Sequence, residues 1–221
     1  MRQLYLPMPV WDLPIRLFHW LIVLLLGFSW LSAENGWMQL HMLSGYTILS
    51  LLLFRLVWGV VGSDTARFRF FLKSPLAGLR HLMHLHRREP DTEIGHNAAG
   101  GWMVLVMLGL MLAQVSTGLF SNDDISVEGP LVHFVTKATS DWATHWHHRL
   151  FDLLQIVVCL HVLVIIIYAV VKRHNLVTPM FTGKKRMPGA MRAPRMVHPL
   201  LAAVIYLLAV LAVYILVRWA G

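Results

Sequence analysis

The stretch HWHHRLFDLLQIVVCLH, residues 145–161, sets four histidines at the ends of an apolar run. An α-helix turns about 100° and rises about 1.5 Å per residue, so His147 and His161 fall about 40° short of four full turns apart and about 21 Å apart in height. They share one face of a helix at two depths. His148, thirteen residues before His161, is displaced by about 140° on the same geometry and points elsewhere.

The rest of the chain makes that helix a membrane span. Of 221 residues, 57% are hydrophobic and 14% charged, with a mean hydropathy of +0.61, a composition unlike that of a soluble domain. A crossing needs about 20 mainly apolar residues, and five stretches qualify: 15–31, 40–61, 98–120, 147–171 and 200–219. The expectation is an all-α integral membrane protein. A four-helix transmembrane bundle over residues 1–175 is followed by a basic cytoplasmic linker, 176–196, and a fifth C-terminal transmembrane helix within 197–221. The first stretch lacks a small-residue cleavage site and carries Arg16, Phe18, His19 and Trp20, so it reads as an uncleaved helix. Cys159 is the only cysteine, which excludes disulfides, thiolate metal sites and covalently attached haem of the CxxCH kind.

The net charge of +8 is unevenly placed. Residues 62–97 hold Arg67, Arg69, Lys73, Arg80, Arg87 and Arg88, and residues 172–199 hold Lys172, Arg173, Lys184, Lys185, Arg186, Arg192 and Arg195 without an acid. The alternate connections are acidic, with Glu34 in one and Asp123, Asp124, Glu128 and Asp141 against Lys137 in the other. The positive-inside rule therefore puts the N-terminus and both basic loops in the cytoplasm and the C-terminus outside. The same placement explains the basic excess through anionic headgroups rather than nucleic acid, of which the loops carry no recognition motif. In the long outer connection, HFVTKATSDWATHW (133–146) is mildly amphipathic and reads as a short interfacial helix. Residues 178–196, rich in Pro and Gly, read as irregular.

Each depth on the fourth helix needs a partner. His19 lies near the cytoplasmic start of helix 1 and His41 near the outer start of helix 2, so His19 pairs with His161 and His41 with His147. Neutral imidazole is a good axial ligand to haem iron, and two of them leave no open site for oxygen chemistry. Ionisable groups within spans are costly and usually functional. Four at two matched depths read as two stacked bis-histidine haem sites. Small residues beside them, Ser44 and Gly45 on helix 2 and Gly109 and Gly118 on helix 3, would let flat macrocycles approach the backbone.

The segments VWDLPIRLFHW (10–20), HMLSGYTILSLLLFRLVWGVVGSDTARF (41–68), EIGHNAAGGWM (93–103) and WHHRLFDLLQIVVCLHV (146–162) together resemble the bacterial cytochrome b561 superfamily. The resemblance is closest to the b-type cytochrome subunits of nickel-iron hydrogenases and related membrane di-haem cytochromes b. It implies haem ligands from helix 1, helix 2 and two positions fourteen residues apart on helix 4, which here are His19, His41, His147 and His161. Some relatives read WHRL where this chain reads WHHRL, and a one-residue gap would bring His148 to the outer position; the fourteen-residue spacing favours His147. His96, in GHN, matches a family position associated with quinone reactivity, against a helix-capping alternative. Arg55, inside helix 2, reads equally as a partner for an inner haem propionate or as a side chain reaching the headgroups. Arg16, Trp11 and GSDTARF divide between propionate or quinone contacts and interfacial anchoring. His198 is near a cytoplasmic quinone site or simply starts a helix. His81, His84 and His86 sit in a basic loop without carboxylate or thiolate companions and read against a metal cluster. Ala98 stands where many relatives have proline, and the fifth span identifies no particular partner.

The resemblance implies an inner-membrane electron carrier of a respiratory chain. It has two haem b, ubiquinone or menaquinone as substrate, and a periplasmic redox partner: a c-type cytochrome, a hydrogenase or another oxidoreductase. A homodimer is compatible with it. The alternatives are a superoxide:ubiquinone oxidoreductase needing no protein partner, disfavoured by the few outer cations, and a histidine-lined metal or proton transporter, disfavoured by the near absence of carboxylates in the spans.

Overall fold

Asp12 sits at the head of the first helix: its Oδ1 accepts the Ile15 N–H at 2.8 Å, supplying a partner for a helix-start amide, and its Oδ2 accepts Trp58 Nε1–H at 3.0 Å. The computed structural model describes residues 5–83, 93–189 and 191–220. Strand β1 (Tyr5–Pro9) leads into α1 (Leu13–Glu34) and α2 (Met38–Val61), after which the chain makes the short helices α3 (Phe68–Phe71) and α4 (Pro75–Met83). Helices α5 (Ala98–Leu119) and α6 (Lys137–Ile167) follow, α6 ending in a π-helical turn at Tyr168–Lys172. Then come α7 (Val177–Thr182), β2 (Lys184–Pro188) and α8 (Pro199–Ala220). Among the described residues α1, α2, α5, α6 and α8 are long and apolar enough to cross a membrane, as composition required, and the chain is an all-α membrane bundle.

Two expectations are corrected. The segment 137–146 is the first three turns of α6 and not a separate interfacial helix. Thr136 starts it, its carbonyl and Oγ1 receiving the Thr139 N–H, and no glycine or proline interrupts the chain from there to Ile167. Residues 178–196 are not wholly irregular, because β2 pairs antiparallel with β1 in the register Tyr5↔Pro188 to Pro9↔Lys184. Gly183, at φ +75°, turns the chain between α7 and β2. Its carbonyl takes the Val10 and Trp11 N–H groups, and a Cβ there would stand 2.8 Å from Trp11 O. Only glycine fits both constraints.

The chain divides into two compact units. The first comprises Met1–Leu17, Leu56–Val106 and Val158–Ala202. Trp58, fully buried, anchors it; Phe68 packs against Gly59, and Ser63 and Asp64 bind the backbone of residues 195 and 197. The second comprises Phe18–Arg55, Met107–Val157 and Ala203–Gly221. Here Trp30 meets Phe151, Phe54 meets Tyr206 edge to face, and Phe134 stacks on Trp219 at 5.0 Å, so Tyr206 and Trp219 of α8 pack on the unit.

The 121–129 loop in the second unit is organised by one carboxylate. Asp123 Oδ1 accepts the N–H groups of Ile125, Ser126 and Val127 at 2.8–2.9 Å, which hold its pKa below the usual carboxylate value. The stabilisation is therefore present above the ordinary carboxylate pKa and is lost as pH falls through the depressed one. Asp123→Asn should speed amide exchange at residues 125–127 at neutral pH, whereas the wild type should do so only in acid. Identical protection in both proteins at neutral pH would contradict this.

Candidate haem site

In the second unit the rings of His41, in the first turn of α2, and His147, ten residues into α6, meet with centroids 6.0 Å apart and planes at 89°. Both are half-buried. An imidazole nitrogen binds a first-row metal at about 2 Å, so two rings sharing one ion in line would have centroids about 6 Å apart.

Each ring has its other nitrogen engaged. His41 Nδ1 donates to the Ser29 carbonyl of α1 at 2.9 Å, with Ser29 Oγ 3.1 Å from the same nitrogen. His147 Nδ1 donates to the Gln114 carbonyl of α5 at 2.8 Å, with Thr117 Oγ1 at 3.4 Å. A carbonyl only accepts, so both rings carry their proton on Nδ1 and a lone pair on Nε2. That is the tautomer and orientation of a metal-ligating histidine with a hydrogen-bonded outer shell. Gln114 Nε2 lies 3.3 Å from His147 Nε2, and its buried Oε1 has no partner among the described residues. The side-chain amide is thus only half satisfied beside the one nitrogen that could bind iron.

Glycines shape the surroundings in two ways. A Cβ on Gly118 would stand 2.9 Å from His147 Cε1, so Gly118, expected to admit a macrocycle, admits the imidazole instead. A Cβ on Gly45, one turn beyond His41, would meet nothing within 4 Å, which leaves room for a flat group against α2. The residues present fit a bis-imidazole haem. His148 is exposed on the neighbouring face of α6, as its angular offset from His147 required.

His19, also in the second unit, is half-buried with Trp20 edge-on at 4.9 Å. His161 is half-buried on α6 within the first unit, so the pairing of these two rests on the depth argument alone. Arg55 is 3% exposed and, fourteen residues beyond His41 on α2, shares its face. Arg16 donates through Nη1 to the Phe181 carbonyl, beside Gly183.

His96, in the first unit, is held between Trp11 (centroids 4.6 Å, 60°) and Phe71 (4.9 Å, 52°). It lines a cavity of about 550 Å³ with Thr65, Phe70, Arg192 and Arg195. The helix-capping alternative belongs to its neighbour: Asn97 Oδ1 accepts the Gly100 N–H at 2.8 Å, while Asn97 Nδ2 donates to Tyr168 OH at 2.7 Å. His198 Nδ1 accepts the Leu200 N–H at 3.2 Å at the start of α8, which is its helix-start reading. His81 bonds Tyr168 OH at 2.6 Å. His84 and His86 lie outside the described residues, among which no group of three or more metal-binding side chains occurs.

Sequence reading missed Ser29 and Gln114. Gln114, a polar side chain inside an apolar span, was the signal available for the second of them.

Residues 10–183 match the family described as prokaryotic cytochrome b561. The chain belongs to that family: it is a multi-pass membrane b-type cytochrome that binds haem b and serves electron transfer. No curated protein and no solved structure matches it.

Gly118→Ala should displace His147 and lower haem per polypeptide. Gly109→Ala should not, because a Cβ there meets nothing within 4 Å. Each substitution raises helix propensity by about 1 kcal/mol, so equal haem content in the two would remove the contact as the cause.

Proposed function

We propose that the chain is a di-haem cytochrome b of the bacterial inner membrane, carrying electrons between a periplasmic redox protein and the quinone pool. The N-terminus is cytoplasmic and the C-terminus periplasmic, on the asymmetry of the basic loops. His41 and His147 would hold the outer haem, and His19 and His161 the inner one. The observation that carries this reading is the His41–His147 pair, each ring with Nδ1–H on a backbone carbonyl and the two centroids 6.0 Å apart.

When bound, a haem with imidazole at both axial positions supplies one-electron transfer and no site for oxygen chemistry. The chain's residues orient and tune it. The Ser29 and Gln114 carbonyls fix the two rings and raise the basicity of their Nε2 atoms. Arg55, a guanidinium buried in an apolar bundle, suits a propionate carboxylate. His96, whose imidazole both donates and accepts hydrogen bonds, lines the cavity, where a quinone would exchange protons with the cytoplasm. Inward electron flow would then be electrogenic.

Superoxide oxidation at the outer face would call for unmatched outer cations. Lys137 is instead engaged by Asp124 and Asp141, and Arg149 lies 3.9 Å from Asp152, which supports a protein donor or acceptor over that alternative.

Purified from cells well supplied with haem, the chain should show two b-type haems by pyridine haemochromogen, falling to about one in His41→Ala or His147→Ala and unchanged in His148→Ala. Haem-free protein would overturn the reading, and loss in His148→Ala alone would move the outer ligand. His96→Ala should retain both haems yet lose exchange with quinone; full quinone activity in that variant would remove His96 from the site.

A further inference from the structure

The family match ends at residue 183, and beyond it the leader into α8 carries Arg192 and Arg195. Among the described residues neither guanidinium makes a hydrogen bond or an ion pair. Both arginines line the cavity of about 550 Å³ in the first unit, with Asp64 the one carboxylate among its lining residues. Two cations against one anion leave that lining positive.

The backbone that carries the two arginines is fixed. Asp64 N–H donates to Arg195 O at 3.0 Å, Arg195 N–H to Asp64 Oδ2 at 2.9 Å, and Val197 N–H to Ser63 Oγ at 3.0 Å. Ser63 is fully buried, so the leader is anchored in the core of its unit. Asp64 thus spends an oxygen on a backbone amide and pairs with neither guanidinium.

The cavity also lies at a particular level. Asp64 follows the end of α2 at Val61, Ile94 precedes α5 at Ala98, and Arg195 precedes α8 at Pro199. Three helices long enough to cross a membrane end there, which is the depth of lipid head groups. Phe70, Ile94 and Pro194 add apolar surface to the lining. Arg69, with its guanidinium 4.7 Å from the centre of the Phe70 ring, brings a third cation beside it.

We propose that this cavity holds the phosphate of an anionic phospholipid, with Arg192 and Arg195 as its donors. A guanidinium offers a planar fork of N–H groups that matches phosphate oxygens, and a basic pocket between membrane helices is suited to an anionic head group. The apolar lining takes the glycerol and the first part of the acyl chains. A zwitterionic head group would bring its own cation to a wall that is already positive, so the site discriminates by net charge. The bound phosphate ties the leader of the fifth span to the head-group layer. The inference does not rest on the quinone reading of His96 and leaves it standing.

The test is binding of phosphatidylglycerol and phosphatidylcholine to the full chain in neutral detergent, read by native mass spectrometry as lipid retained per polypeptide across a titration. The wild type should bind one phosphatidylglycerol about tenfold more tightly than phosphatidylcholine, the worth of a hydrogen bond to a charged group. In the double variant Arg192→Gln, Arg195→Gln that preference should vanish, with haem per polypeptide unchanged. Arg80→Gln removes an equally exposed cation of the same unit that does not line the cavity, and it should bind as the wild type does. Equal binding of the two lipids by the wild type would overturn the proposal without recourse to any variant. So would an undiminished preference in the double variant, or a loss in Arg80→Gln as large as in the double variant, which would mean diffuse attraction to a basic surface. Thermal stabilisation by inorganic phosphate alone, dependent on the two arginines and not matched by phosphatidylglycerol, would make free phosphate the ligand and overturn the lipid assignment.

Discussion

A half-buried imidazole among apolar helices must place its N–H somewhere, because an unsatisfied donor away from water costs on the order of 1–3 kcal/mol. In this protein the two N–H groups at the facing rings go to helix carbonyls, His41 to Ser29 and His147 to Gln114. Each bond fixes a tautomer and ties one helix to another, α2 to α1 and α6 to α5. Four helices of one unit are thereby joined at the point where the two imidazole rings meet. The contact of Gly118 with the His147 ring follows from the same demand, since α5 must come close enough for its carbonyl to reach Nδ1.

The other unit solves a different problem. Its polar backbone lies in short elements and turns, where the helical ladder satisfies fewer groups. Asp12 takes one helix-start amide and the Trp58 indole, and Gly183 O takes two amides from the chain that enters α1. Ser63 and Asp64 take those of the leader to α8. Within this accounting the Thr65 hydroxyl has no hydrogen-bond partner among the described residues, and Thr65 lines the same cavity as His96.

Much of this was legible in the sequence for reasons of period. Hydropathy located five spans, and their ends moved by only a few residues, except where α6 begins ten residues early at Lys137. Hydropathy misjudged that start because Thr, Ser, Asp and His residues at 139–148 lower it without breaking a helix; the backbone there is uninterrupted all the same. The helical angle separated His147 from its exposed neighbour His148. Nothing local announced the β1–β2 pairing, which joins segments about 180 residues apart through backbone atoms alone. Nor did the GHN motif show that its Asn97, rather than His96, caps α5.

By itself the sequence determined that the chain has five stretches long and apolar enough to span a membrane, that His147 and His161 sit at two depths of one helix face, and which family it joins. These follow from composition and from a fixed rise and turn per residue. Only the tertiary structure decided which carbonyls hold the His41 and His147 rings, that Gly118 yields space to an imidazole, and that the leader to α8 walls a cavity with Thr65 and His96. Those depend on distances between helices far apart in the chain, and helical periodicity fixes the face a residue occupies without fixing what that face meets.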